Sequence, residues 1–195
     1  SGTSEGSSKY IPVTKAMLRS IQRVGVRQML SLRNCSIKPD FFQRNILMLG
    51  GSSDLDSNGV RAAGDLSGIT TGRLPFWFRP FYKPGREISQ IKDWEDKLDR
   101  IAREAPKWDV GALVGVPAWI QLVLEKIIII HKARNIHDVW PNLQLFVHGG
   151  VAFEPYKKSF EKLLGKPLIY LETYLASEGF IAFQEFPDDK GLTLF

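Results

Sequence analysis

The chain has 195 residues, of which 44% are hydrophobic and 24% charged, with a formal net charge of +5. This composition is typical of a soluble globular domain, and the mild, scattered basic excess suits a small anionic ligand better than a nucleic-acid track. A single cysteine, Cys35, excludes a disulfide framework and a thiolate metal cluster and favours a reducing, cytoplasmic compartment.

The first nine residues, SGTSEGSSK, combine small hydroxyl residues and two glycines with one lysine. Backbone N–H groups, hydroxyls and a cation of this kind suit a loop that closes around phosphate oxygens, with Lys9 supplying the point charge. The spacing differs from the GxxxxGK[ST] phosphate loop because two serines separate Gly6 from Lys9. A Ser/Gly-rich terminus is also typical of a flexible tail or a cloning remnant, which composition alone favours.

The next elements follow from apolar spacing and turn residues. Thr14 is placed to cap a helix over Lys15–Asn34, and Asn45–Leu49 predicts a short buried strand. The polar residues that follow Gly51 predict a surface hairpin or excursion. Leu74–Gly85 concentrates aromatics and prolines where no regular helix can form. Its aromatic rings either pack in the core under a loop, which we favour, or stack on nucleotide bases.

Helices and strands alternate in the second half. Glu87–Arg103 predicts one amphipathic helix whose charged residues form a solvated face. Ala118–Arg134 predicts a helix that is apolar on most sides and therefore buried, but broken by Glu125 and Lys126 and too short to span a bilayer. The other predicted elements are the strands Val110–Val114, Leu143–Val147, Leu168–Thr173 and Phe180–Gln184 and the helix Pro155–Leu164.

This alternation favours an α/β fold with a mainly parallel, layered sheet and flanking helices. In such sheets ligands bind outside the carboxyl ends of the strands. Two predicted loops occupy that position, HGG at His148–Gly150 and YLASEG at Tyr174–Gly179. We expect both loops to contribute to a ligand site.

The chemistry of these loops suits ATP. A planar ring can lie against the backbone of Gly149 and Gly150, and Tyr174 offers an aromatic face to the same ring. Ser177 offers a hydroxyl to a phosphate, and Glu178 offers a hard carboxylate to Mg²⁺. Each residue alone also has an ordinary explanation: a turn, a core tyrosine or a solvated glutamate.

Five segments carry a resemblance to a known family: SGTSEGSSKYIP, GDLSGI, DVGALVGVPAWI, LFVHGGVAFEPY and ETYLASEGFIAFQ. In this order and spacing they resemble the auxin-responsive (Gretchen Hagen) acyl-acid amido synthetases, in their bacterial form. The resemblance runs from the first residue to the last. It implies the N-terminal adenylation domain of an adenylate-forming enzyme, although Leu175 stands where many superfamily members carry glycine.

The resemblance also implies roles for individual residues. The superfamily motif places a magnesium-binding glutamate four residues after a tyrosine, as Glu178 follows Tyr174. The match to the phosphate loop adds Lys9, so the resemblance implies that Lys9 and Glu178 are catalytic. Val116, Trp119 and His148 are candidates for the acid pocket, although Trp119 also suits helix packing and His148 a structural turn. The implied nucleotide-binding residues are Ser1, Gly2, Thr3, Ser4, Gly6, Lys9, Gly149, Gly150, Tyr174, Ala176 and Ser177.

The implied reaction has two steps. A carboxylic acid reacts with ATP to give an acyl-adenylate and pyrophosphate, and an amino acid then forms the amide. An acyl-CoA ligase on the same scaffold and a non-catalytic nucleotide-binding module remain alternatives. Relative to the family, we expect residues 1–195 to be part of the adenylation domain, without the preceding strand, hinge and C-terminal lid domain, and inactive alone. The sequence specifies neither the acid, the acceptor nor the oligomeric state.

Overall fold

A computed structural model describes residues 11–54, 56–57 and 62–195. Its helices are α1 (Lys15–Ser31), α2 (Leu66–Thr71), α3 (Arg86–Ser89), α4 (Trp94–Glu104), α5 (Pro117–His131) and α6 (Glu154–Leu163). Its strands are β1 (Asn45–Met48), β2 (Asp56–Ser57), β3 (Ala62–Ala63), β4 (Tyr82–Lys83), β5 (Val110–Gly115), β6 (Leu145–Gly149), β7 (Ile169–Ala176), β8 (Gly179–Phe183) and β9 (Thr193–Leu194). Short 3-10 helices cover Leu32–Asn34, Pro39–Gln43, Ala105–Lys107 and Ile136–Asp138.

Within the described residues, one sheet of seven strands has the order β4-β1-β5-β6-β7-β8-β9. The five strands from β4 to β7 in this order are parallel, whereas β8 and β9 pair antiparallel. Strands β2 and β3 form a separate hairpin. The predicted mainly parallel sheet is therefore confirmed, as is a hairpin in the polar segment.

Apolar side chains cover both faces of the sheet. On one face a large cluster joins the sheet to α4, α5 and α6, with Phe146 stacked on Phe160 at a centroid distance of 5.0 Å. The buried Trp140 also donates from Nε1 to the Ala105 carbonyl at 2.9 Å. On the other face a smaller cluster packs Leu32 and Phe41 against the sheet.

Helix α1 begins where its cap was predicted. The Thr14 hydroxyl accepts a hydrogen bond from the Met17 backbone N–H at 3.1 Å, which satisfies one of the donors that a helix start leaves unpaired. Leu18, Ile21 and Val24 are buried at helical spacing. The predicted helix was three residues too long, because Leu32–Asn34 tightens into a 3-10 turn.

The single helix predicted over Glu87–Arg103 is wrong. Helix α3 ends before Gln90, and Asp93 starts α4 as its cap, accepting from the Asp96 backbone N–H at 2.8 Å. The solvated charged face is also wrong at Lys97, which is only 2% exposed. Its Nζ lies 6.0 Å from the Trp94 ring centroid, and burial lowers its pKa.

The strand boundaries around the predicted loops also differ. Strand β6 begins two residues late, at Leu145, and extends through His148 and Gly149, which were predicted to stop it. Both residues pair with β7, so they belong to the sheet ladder. The predicted YLASEG loop is strand β7 as far as Ala176, and only Ser177–Glu178 form a turn, between β7 and β8.

Surface exposure corrects two further predictions. Leu122 and Ile129 of α5 are exposed, because only one face of this helix packs on the sheet. The helix ends at Lys132, which has a left-handed φ of 50°. Of the Leu74–Gly85 aromatics, Phe78 is buried as predicted but Phe76 is 81% exposed. None of the described helices has both the length and the apolarity needed to cross a bilayer.

Two isoleucines on adjacent helices test this packing. Ile101 of α4 is 0% exposed and Ile129 of α5 is 74% exposed. Ile101→Ala should lower the free energy of unfolding by about 2 to 5 kcal/mol, because it leaves a cavity in the core. The matched change Ile129→Ala should alter it by less than about 0.5 kcal/mol. Urea denaturation measures both, and equal effects would contradict the assigned core.

Candidate functional site

The carboxyl ends of the parallel strands meet at one edge of the sheet. We call this the carboxyl edge and define it by Gly50 after β1, Gly115 of β5, Gly149 of β6 and Thr173 of β7. The register brings Gly149 opposite Thr173 and Gly115 opposite His148. The HGG and YLASEG segments are therefore neighbours, as ligand binding at this edge requires.

Both glycines of the HGG segment are needed by the fold itself. A Cβ at Gly149 would collide with the Thr173 carbonyl oxygen and lie 2.7 Å from Thr173 Oγ1. Gly150 has a φ of 84°, which disfavours a side chain, and a Cβ there would lie 3.3 Å from Val116 Cγ2. An adenine ring against these glycines stays a prediction.

The YLASEG segment leaves the sheet edge as a hairpin. A register shift at Tyr174–Leu175 forms a bulge, a feature that re-aims side chains and is common beside active sites. Tyr174 is 52% exposed, and Glu178 is exposed in the turn. Ala176 and Ser177 are half-buried. An aromatic face and a carboxylate are thus presented at the carboxyl edge.

The described residues contain no group of three or more His, Cys, Asp or Glu side chains that could hold a metal ion. A Mg²⁺ that arrives with nucleotide phosphates needs only one or two carboxylates from the protein. The exposed Glu178 fits a site of this kind, in which the nucleotide phosphates supply other ligands of the metal. Lys9 and the predicted phosphate-loop residues Ser1, Gly2, Thr3, Ser4 and Gly6 lie outside the described residues.

His148 is enclosed by aromatic rings. It is 5% exposed, and its ring stacks on Phe153 at a centroid distance of 4.6 Å and lies 5.6 Å from that of Phe146. Its Nδ1 has no hydrogen-bond partner among the described residues. Burial lowers the pKa of His148 to about 4, so the imidazole is neutral at pH 7.

A large cavity lies on the opposite face of the sheet, beneath α1. We call it the α1 cavity; its volume is about 390 Å³. Apolar side chains of the sheet form its floor and α1 its roof, while the segment 73–78 and Phe42 flank it. Residues of the sheet that line it are Ile46, Met48, Ala112, Val114, Leu145, Val147, Thr173, Leu175 and Phe180.

The three residues predicted for an acid pocket do not line the α1 cavity as the structure describes it. His148 points away from it because alternate residues of β6 face opposite sides of the sheet, and Val147 faces the cavity. Trp119 packs against Trp94 at 5.2 Å, and Val116 caps α5. The structure thus brings His148 and Val116 to the carboxyl edge but leaves Trp119 on the outer helical layer.

Sequence reasoning missed the cavity, although one residue signals it. Gly25 lies in the middle of α1, where glycine costs about 1 kcal/mol relative to alanine. A Cβ at Gly25 would have no atom within 4 Å, so packing does not require glycine there. Gly25 lines the α1 cavity, and its missing side chain adds to the open volume.

Comparisons with known proteins place the chain. Residues 52–169 match the model of the GH3 family N-terminal domain. Among solved structures, the chain is similar to one titled GH3.15 acyl acid amido synthetase, with a TM-score of 0.68 and 11% sequence identity. The alignment covers 96% of this chain and 43% of that one, and at this identity it shows the shared fold alone. No curated protein matches the chain.

The buried histidine predicts a pH dependence of stability. In the unfolded chain the imidazole of His148 takes up a proton near pH 6.5, whereas in the folded protein it does so only at about pH 4. The free energy of unfolding should therefore fall as the pH drops from 6.5 to 4, by on the order of 3 kcal/mol. His148→Met, measured by urea denaturation across this range, should flatten the decrease. His137, whose pKa burial also lowers, contributes equally to both proteins, and parallel curves would contradict the assignment.

Proposed function

This chain belongs to the GH3 family, and we propose that it forms the acid-activating site of an acyl-acid amido synthetase. Such an enzyme uses ATP to convert a carboxylic acid into an acyl-adenylate and then transfers the acyl group to an amino acid. The chain spans 43% of the length of the synthetase structure it matches. The complete reaction, amide formation included, is thus a proposal for the polypeptide as a whole.

The observation that carries the proposal is the arrangement of three consecutive residues of β7. Thr173 and Leu175 line the α1 cavity, and Tyr174 between them is exposed at the carboxyl edge. An acid in the cavity and a nucleotide at the edge would therefore share one stretch of backbone. That proximity is what attack of a carboxylate on the α-phosphorus of ATP needs.

The lining of the α1 cavity suits an apolar acid, because its walls are mostly aliphatic and aromatic. The opposite face of the same sheet packs against α4, α5 and α6 in the large core cluster, which holds the strands in place. We assign the acyl group to this cavity rather than to the surroundings of Val116, Trp119 and His148. Those three residues keep an alternative role, and the Trp119 variant below tests it.

The nucleotide is assigned to the carboxyl edge. The C-terminal end of α1 lies towards the amino ends of the strands, since the chain passes from it through Phe41 into Asn45, the first residue of β1. Its N-terminal end therefore faces the carboxyl edge, where the partial positive charge of a helix start favours phosphate. In this proposal Lys9 neutralises phosphate charge, and Tyr174 flanks the adenine.

Magnesium is the expected metal, with Glu178 as its protein ligand. When bound, Mg²⁺ would offset the negative charge on the two phosphates that leave as pyrophosphate. The protein needs no covalent intermediate for this chemistry. Its own residues position the carboxylate, exclude water from the cavity and hold the phosphates in line.

Replacing the proposed metal ligand tests the reaction class. Glu178→Gln in the natural full-length polypeptide should slow acid-dependent exchange of labelled pyrophosphate into ATP by roughly a hundredfold or more. Glu172→Gln, which alters an exposed carboxylate on β7, the strand that leads into the Glu178 turn, is the matched control and should change little. Absence of exchange in the wild type with a broad acid panel, despite Mg²⁺-ATP binding by calorimetry, would favour a non-catalytic nucleotide-binding module. Exchange followed by transfer to coenzyme A and not to amino acids would favour an acyl-CoA ligase.

Filling the cavity tests the acid site. Gly25→Leu places a good helix former in mid-helix and projects its side chain into the α1 cavity, so the protein should remain folded. The KM for the acid should rise by roughly tenfold or more, while the KM for ATP stays within about twofold. Trp119→Ala should leave the KM for the acid unchanged. The reverse result, with Trp119 sensitive and Gly25 silent, would move the acid to the other face of the sheet.

A further inference from the structure

One buried polar atom of the α1 cavity has no partner. Gln28 lines the cavity from α1, and its Nε2 is shielded from solvent without an acceptor among the described residues. A buried donor without an acceptor destabilises the folded protein. A ligand oxygen in the cavity would remove this penalty.

Most other polar side chains on the cavity wall already have partners. Gln22, also in α1, donates from Nε2 to the Arg73 carbonyl at 3.1 Å. The Arg73 side chain is exposed and does not supply a buried donor. The remaining pairs are Arg44 with Asp40 and Asp109, Thr70 and Thr71 with carbonyls of α2, and Thr173 with the His148 carbonyl. Trp77, whose indole also carries a donor, is 46% exposed. Among the described residues that line the cavity, Gln28 therefore supplies the buried donor that a ligand can use.

Gln28 lies at the end of the cavity that is remote from the carboxyl edge. Leu32, one turn after Gln28, packs with Phe41 against Ala112 and Leu145, which lie near the starts of their strands. From Leu18, which lines the cavity near the start of α1, ten residues of helix advance about 15 Å. An acid that reacts at the carboxyl edge would therefore meet Gln28 with its distal end.

We propose that Gln28 Nε2 donates a hydrogen bond to an oxygen at the distal end of the acid. The substrate class is then an apolar carboxylic acid that carries an ether, carbonyl or hydroxyl oxygen far from its carboxylate. This inference rests on the proposed function, since it takes the reacting carboxylate to lie at the carboxyl edge. An acid without a distal acceptor leaves the Gln28 donor unpaired and binds less tightly.

Matched acids test the assignment by direct binding. The probes are ω-(4-methoxyphenyl)alkanoates and ω-(4-ethylphenyl)alkanoates with two, three or four methylenes, which differ within each pair by one oxygen in place of a methylene. Isothermal titration calorimetry on the full chain should give a Kd about tenfold lower for the methoxy member at the best length. Gln28→Met, of similar size but without a donor, should abolish this preference, whereas Gln22→Met should retain it.

The outcomes separate this inference from the proposed function. Equal affinities for both members of every pair in the wild type, or an unchanged preference in Gln28→Met, would overturn the role of Gln28 and leave the acid site standing. Binding of no probe would overturn the cavity as an acid site and Gln28 with it. A preference that Gln28→Met loses and Gln22→Met keeps would support both.

Stability without ligand gives an independent measurement. Gln28→Met removes a buried unpaired donor and should raise the Tm, whereas Gln22→Met breaks the bond to the Arg73 carbonyl and should lower it. A lower Tm for Gln28→Met would mean that Nε2 is already paired in the folded protein, which would overturn the inference.

Discussion

The pairing of β6 with β7 determines where each part of the candidate site lies. Val147 pairs with Leu171, His148 with Glu172 and Gly149 with Thr173. A shift of one residue would turn Val147 away from the α1 cavity and place His148 in it, because side chains alternate along a strand. Gly149 opposes that shift, since any side chain facing Thr173 at this position would collide with the β7 backbone. The glycine at the carboxyl edge therefore secures the register of the two strands that frame the site.

The two faces of the same strands differ in packing density: one is filled by aromatic side chains and the other leaves a cavity open. Towards α5 and α6, Phe146 contacts Phe153 and Phe160 in a dense aromatic cluster. Towards α1, the smaller Ala112 and Val147 leave the volume of the cavity open. Because protein interiors are close-packed, the filled face keeps the strands rigid, and the other face can form the α1 cavity. A binding site on a sheet of this kind can be shaped by side chains without loss of the core beneath it.

Local patterns predicted the α/β class, most helices and the Thr14 cap, because these depend on nearby residues. Strand β4 could not be found this way, since its two residues form a strand only through pairing with Ile46 and Leu47. The cavity was missed for the same reason: it is a space between α1 and strands distant in sequence. His148 was predicted to stop its strand and was a candidate for an acid pocket near the strand ends. The strand instead continues through it, with its ring on the face opposite the α1 cavity, and its role in an acid pocket stays a prediction. The roles predicted for residues 1–9 stay predictions.

Helix α1 carries two features that lower its own stability, and both line the cavity. Gly25 costs helix propensity without a packing reason, and Gln28 buries a donor without an acceptor. A ligand that occupied the volume beside Gly25 and accepted from Gln28 would stabilise the folded helix by mass action. In the proposed function, the same helix begins at Lys15, six residues after Lys9, and its start faces the phosphates. An acid that stabilises α1 would therefore also stabilise the helix start that we assign to phosphate binding. Because such coupling is reciprocal, ATP would in turn tighten the hold on the acid. In the proposed function, the residues that weaken α1 therefore offer a physical route by which an acid and ATP would bind cooperatively.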